Sequence, residues 1–243
     1  MVSEPAAEGC GCRGISDPFA QIVYRPTSWY ALAMENSVSP ASPRSSARQK
    51  LLNAARSLIR QKGYCATTVD ELCAKAGVTK GAFFHHFKSK DALGVAVAND
   101  WSDITTAFFE AAPYHKQSDP LDRVLGYLEF RKAILKGELA EFTCLVGTLL
   151  QEVYDTSPEI RAACEASITG HAAKVAADIA GAMKRYRIRS SWSAESLALH
   201  TQAVLQGAFI LAKAKRSAAI AAASIDHLHR YIELLFRPAR SSR

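Results

Sequence analysis

The stretch TTVDELCAKAGVTKGAFFHHFKSK, from Thr67 to Lys90, decides the fold. Thr68 and Glu71 stand three apart, the spacing at which a hydroxyl and a carboxylate satisfy free backbone donors at the start of a helix. Val69, Leu72, Cys73 and Ala76 give that helix an apolar side, and Gly77 suits the turn that ends it. Thr79 caps a second short helix reaching Phe87, and Ser89 caps the next. Two short helices around a tight glycine-containing turn, here 68–87, form a helix-turn-helix, whose second helix can enter the major groove of DNA. Val78 and Phe83 fill the space between the pair. Thr79, Lys80 and Gly81 then stand at the exposed start of the second helix, where side chains approach base edges. His85, His86, Lys88 and Lys90 gather at its other end, placed to meet phosphates.

Working outward, Leu51, Leu52, Ala55, Leu58 and Ile59 make one face of a preceding helix that stops at Gly63. Leu93, Ala96 and Val97 line the helix that follows, which ends before Pro113. Charge concentrates in the same region: residues 44–92 carry ten cations against three acids, and so hold the chain's whole formal charge of +7. A local basic surface fits a polyanion, because neutralised phosphates release condensed counterions. A lysine-rich solvated helix face would give the same count.

The segment from about Ser46 to Trp101 resembles the DNA-binding domain of the TetR family of bacterial transcriptional regulators. The match rests on the A-G-V-T-K-G turn, the pair Phe83-Phe84, His86-Phe87 and the S-K-D-A-L run that opens the fourth helix. That resemblance implies that Thr67 or Thr68 and Lys90 hold the phosphate backbone, while Thr79, Lys80 and the third-helix surface read sequence. Family members usually carry tyrosine where Phe84 stands, and its hydroxyl commonly meets a phosphate; Phe84 cannot make that bond.

The remainder stays helical. Asp119-Pro120 and Ser157-Pro158 are caps followed by proline at the first helical position, and Ser193 caps a later helix through Leu197, Val204 and Phe209. About nine helices and no convincing strand make the chain all-α. The expected organisation is a disordered leader over 1–44, a three-helix DNA-binding domain over 45–105 and a helical domain over 113–237. The leader holds five of the nine prolines and a serine-rich run, and Met34 offers an alternative start. The resemblance implies that the last domain binds a ligand and pairs with a second subunit. Ala203, Gly207, Ala208 and Ala212 offer a small-residue side for close helix approach, either to that subunit or within the chain. A two-fold dimer places its recognition helices about 34 Å apart, on a near-palindromic operator in double-stranded DNA. A small-molecule effector that prefers one spacing of the heads would release it.

Other signals carry less. Cys144, His171 and His200 are candidate ligand-binding residues on the C-terminal helices, Cys144 also as an electrophile or oxidant sensor, although buried packing explains such residues as well. Cys65, Cys73 and Cys164 read as buried fillers. Glu138/Glu141 and Glu152/Asp155 read as solvated carboxylate pairs. Gly9-Cys10-Gly11-Cys12-Arg13-Gly14 matches a dinucleotide fingerprint in letters only, with no strand before it. There is no catalytic serine elbow, zinc-binding helix or phosphate loop, so no enzyme, cofactor or metal is expected. With no membrane-length apolar run and no secretory signal, a cytoplasmic location follows as the default.

Overall fold

The computed structural model describes residues 46–237; the expected leader, with Met34, Cys10 and Cys12, lies outside the described residues. Ten α-helices and one 3-10 turn fill the described chain, with no strand among those residues. The head consists of α1 (Ala47–Lys62), α2 (Val69–Ala76) and α3 (Lys80–His86). Ser46 Oγ accepts from the Gln49 amide to start α1, and Gly63, at φ +93°, ends it. A Cβ at Gly63 would collide with the Glu152 carboxylate, so glycine is required there for space as well as for backbone. Phe83 of α3 is fully buried against α1 and α2 with Leu52, Ile59, Leu72 and Phe87. Phe87 itself is extended and ends α3 one residue earlier than the sequence suggested.

From the head, α4 (Lys90–Glu110) runs into the second half as a 21-residue helix. After the 3-10 turn Pro113–Lys116 come α5 (Pro120–Ala133), α6 (Leu139–Phe142), α7 (Leu145–Val153), α8 (Pro158–Tyr186), α9 (Ala194–Lys215) and α10 (Ala218–Phe236). The central α8 packs on α4, α5, α7 and α9, while α10 closes against α9 and α5. Asp119 and Ser193 cap as expected. Ser157 precedes α8 but makes no capping bond, and its buried hydroxyl has no partner among the described residues.

Two cations counted toward the basic surface are not on it. Arg56 is 1% exposed; it pairs with Asp100 of α4 and donates to Asn53 Oδ1. Arg60 is 6% exposed, donates from Nε to the Thr143 carbonyl at 3.1 Å and lies 4.8 Å over the Trp101 ring. Neither faces solvent: Arg56 holds α1 to α4, and Arg60 fastens the head to the second half. Glu152, expected on a solvated face, does the same. Its two oxygens accept from the Tyr64 and Cys65 amides at 3.0 and 2.7 Å, so a carboxylate of α7 satisfies the loop between α1 and α2. Cys73 and Cys164 are buried fillers, but Cys65 is exposed because it sits in that loop.

Candidate nucleic-acid interface and effector cavity

The capping box forms as the spacing implies: Thr68 Oγ accepts from the Glu71 amide, and Glu71 accepts from the Thr68 amide at 2.9 Å. Lys62 and these bonds draw the Glu71 carboxyl down to about 2. Gly77, at φ +64°, turns the chain, a conformation that a side chain disfavours. Thr79 Oγ then accepts from the Ala82 amide at 3.1 Å, which presents Lys80 and Gly81 at the exposed start of α3. Lys80 Nζ lies 2.7 Å from Asp70 of α2, with both side chains mostly exposed. Such a surface pair is weak, so a phosphate or base can displace the carboxylate.

The other candidates separate by exposure. Thr68 is exposed, whereas Thr67 is 1% exposed and donates its hydroxyl to the Gly63 carbonyl at 2.7 Å. Phe84 projects outward, 55% exposed, edge-on to Phe83 at 5.2 Å. His85 and Lys88 are exposed and His86 is half-buried, its ring 4.9 Å from that of His85. Lys90 Nζ lies 4.3 Å over the Tyr64 ring, which carries the stem of this cation along the edge of the head. Thr68, Thr79, Lys80, Gly81, Phe84, His85 and Lys88 are thus exposed around one short helix and its approaches.

A cavity of about 50 Å³ opens in the second half, walled by α4, α5, α6, α7, α8 and α9. Cys144 and His171 line it together with Trp101, Phe109, Phe142 and Phe209. His200 does not join them: it is exposed on α9, its ring 5.5 Å from that of Tyr231. Two residues that sequence reasoning missed, Arg131 and Gln202, belong to the polar wall, and Tyr127 lies behind them. Tyr127 Oη accepts from Arg131 Nε at 2.9 Å and from Gln202 Nε2 at 3.2 Å. His171 Nε2 lies 3.0 Å from the Tyr127 hydroxyl and 3.3 Å from Arg131 Nη2. A guanidinium only donates, so Nε2 is the accepting nitrogen and the imidazole is neutral. The signal was present in the sequence. Val124, Tyr127, Leu128 and Arg131 occupy one helical stripe, and an arginine there is a cation on an inward face.

Burial, then the charges of Arg131 and Lys174, pull the His171 pKa from its ordinary 6.5 to about 3. The folded protein therefore binds fewer protons than the unfolded chain between those values. Stability is at its plateau above about pH 6.5 and falls below it, by up to about 1.4 kcal/mol per pH unit. Chemical denaturation from pH 7 to pH 5 should show this loss, and His171→Gln should flatten it; equal slopes for the two proteins would refute the assignment.

The model for "Bacterial regulatory proteins, tetR family" matches residues 51–97, and that for "Tetracyclin repressor-like, C-terminal domain" matches 120–228. The Transposon Tn10 TetC protein of Escherichia coli is 33% identical over 144 residues, covering 49% of this chain and 73% of that protein. The transcriptional repressor NemR of E. coli K12 is 30% identical over 134 residues, 51% of this chain and 62% of NemR. Among solved structures, reduced E. coli NemR superposes with a TM-score of 0.63 at 26% identity, covering 75% and 95% of the two chains. A TetR-family regulator from Agrobacterium tumefaciens shares the fold, with a TM-score of 0.68 at 19% identity over 76% and 96%. The helix-turn-helix head, the all-helical second half and these matches agree: the chain belongs to the TetR family of bacterial transcriptional regulators, proteins that control transcription by binding DNA.

Proposed function

We propose that the protein is a homodimeric repressor that holds a palindromic operator through α3 and lets go when a small molecule enters the cavity beside Cys144 and His171. The DNA-binding part covers 45–105 and the effector and pairing part 113–237. The observation that carries this reading is the segment 143–152. Cys144 and Val146 line the cavity, while the Thr143 carbonyl holds Arg60 and Glu152 holds the Tyr64 and Cys65 amides. A ligand that prefers one position of this wall acts on the head through these bonds, and the coupling is reciprocal. Pairing is supported by the outer faces of α9 and α10, where Leu199, Ile210, Leu211, Tyr231 and Leu234 are each 44% exposed or more. Apolar exposure of this kind marks an association surface. The small-residue set divides: Ala208 and Ala212 are buried within the chain, whereas Ala203 is exposed and Gly207 half-buried. Repression is the sign that the name of NemR carries.

In this reading Thr68 and Lys90 hold phosphates and Thr79, Lys80 and the outer surface of α3 read bases. Selecting bound fragments from genomic DNA with the purified protein gives the operator. Lys90→Ala should then weaken every duplex alike and reduce the slope of log affinity on log salt by about one, whereas Lys80→Ala should relax sequence preference. Equal affinity for selected and scrambled duplexes refutes the repressor reading.

A second reading, sensing by a thiol, is favoured by the place of Cys144 in the cavity wall. Cys164 is the poorer candidate, since burial pushes its thiol up to about 12. Release of operator by an oxidant or an electrophile, abolished in Cys144→Ser, supports it; unchanged release in that variant removes it. Among the described residues no helix is long and apolar enough to cross a membrane, and a cytoplasmic site of action belongs to the proposal.

A further inference from the structure

Arg131 brings a full positive charge to a wall that is otherwise apolar or neutral. A guanidinium keeps its proton inside proteins, and among the described residues no carboxylate pairs with this one. The acids nearest the far side of His171 are already engaged: Asp178 with Arg123 at 2.6 Å and Glu110 with Lys174 at 2.5 Å. The partners that Arg131 does have are uncharged. Its Nε is used by Tyr127 and one Nη2 proton by His171, and the plane lies 4.4 Å over the Phe109 ring. The guanidinium is therefore held in one orientation, and three of its five N–H groups have no acceptor among the described residues. A fixed fork with unused donors matches the two oxygens of a carboxylate.

We propose that the effector is a short-chain monocarboxylate whose two oxygens are bound by Arg131 and whose hydrocarbon tail lies among Phe142, Val146 and Phe209. This rests on the effector reading above and names the chemistry of the same cavity. Three features set the class. The charge of the cavity is positive, because His171 is neutral and brings none. The space of about 50 Å³ holds roughly four waters, which corresponds to a ligand of about four to six non-hydrogen atoms. The rest of the lining is uncharged, with Thr105, Ser167, Gln202 and Gln206 beside the aromatic and aliphatic side chains, so a second charged end on the ligand would be buried without a charged partner.

The experiment is calorimetric titration of the full chain, without DNA, with acetate, propionate and butyrate, and with butyramide as a neutral isostere. The expected result is saturable binding of the acids, about fourfold tighter for each methylene that fits, and at least about 30-fold weaker binding of butyramide. Arg131→Gln should weaken butyrate by a similar factor. Arg131→Lys, which keeps the charge and loses the fork, should fall between the two, and its fold is checked by circular dichroism. Equal binding of butyrate and butyramide, unchanged affinity in Arg131→Gln, or no binding of any of the acids at millimolar concentration overturns the proposal. The repressor reading is judged separately, on preference for selected over scrambled duplex in the absence of any acid. A loss of that preference leaves the ligand assignment standing.

Discussion

Asp100→Ala lowers the unfolding free energy by about 3–5 kcal/mol and the melting temperature by about 10 °C. The magnitude follows from what the substitution leaves behind. Arg56 is 1% exposed and its guanidinium meets the Asp100 carboxylate across the contact between α1 and α4. Without that carboxylate the cation, still in the interior of the head, loses the anion it meets there. Removing both charges is a different experiment. Arg56→Met with Asp100→Leu should recover most of the loss, because an apolar pair of similar volume needs no compensating charge. Thermal unfolding of the two single variants and the double one checks both statements. A loss below about 1 kcal/mol in Asp100→Ala would show that the ion pair does not hold these helices together.

Phe83→Ala is the second large effect. The ring is fully buried where α3 crosses α1 and α2, and it meets Phe87 at 5.8 Å as well as Phe84. Truncation of such a phenylalanine costs about 3–5 kcal/mol. Because α3 has only seven residues, it cannot persist alone. The expected outcome is fast amide exchange across 69–87 and loss of sequence-selective DNA binding, while the cavity still takes its ligand. Phe84→Ala is the control: that side chain is largely exposed, and its loss should change stability by no more than about 0.5 kcal/mol. Similar losses of stability for both variants would refute the assignment of Phe83 as the anchor of α3.

Much of the head was legible in the sequence because its determinants are local. A threonine and a glutamate three apart, a glycine at a left-handed turn and a serine before Lys90 each act within one turn of helix. The long helices of the second half were legible for the same reason at Asp119-Pro120, Ser157-Pro158 and Ser193. Their far ends were not all marked: α8 and α9 end at Arg187 and Arg216, at φ +54° and +50°, in a conformation that glycine usually signals. The four-residue α6 is too short to show a helical period. The cavity was the least legible part, since Arg131, His171 and Gln202 come from three helices and meet only through packing. Net charge misled for a related reason. It counts Arg56 and Arg60 with the surface lysines, although both point inward, Arg56 onto α4 and Arg60 onto the Thr143 carbonyl.

The grip of Glu152 on the Tyr64 and Cys65 amides also bears on how such a protein can diversify. Both donors belong to the main chain, so the clasp is indifferent to side-chain identity at 64 and 65 and exacting only about an acidic group at 152 and the glycine at 63. Residues of the reading surface can therefore change, and new operators be acquired, without rebuilding the joint through which a signal travels. Divergence of target and of stimulus can proceed on separate schedules within one chain.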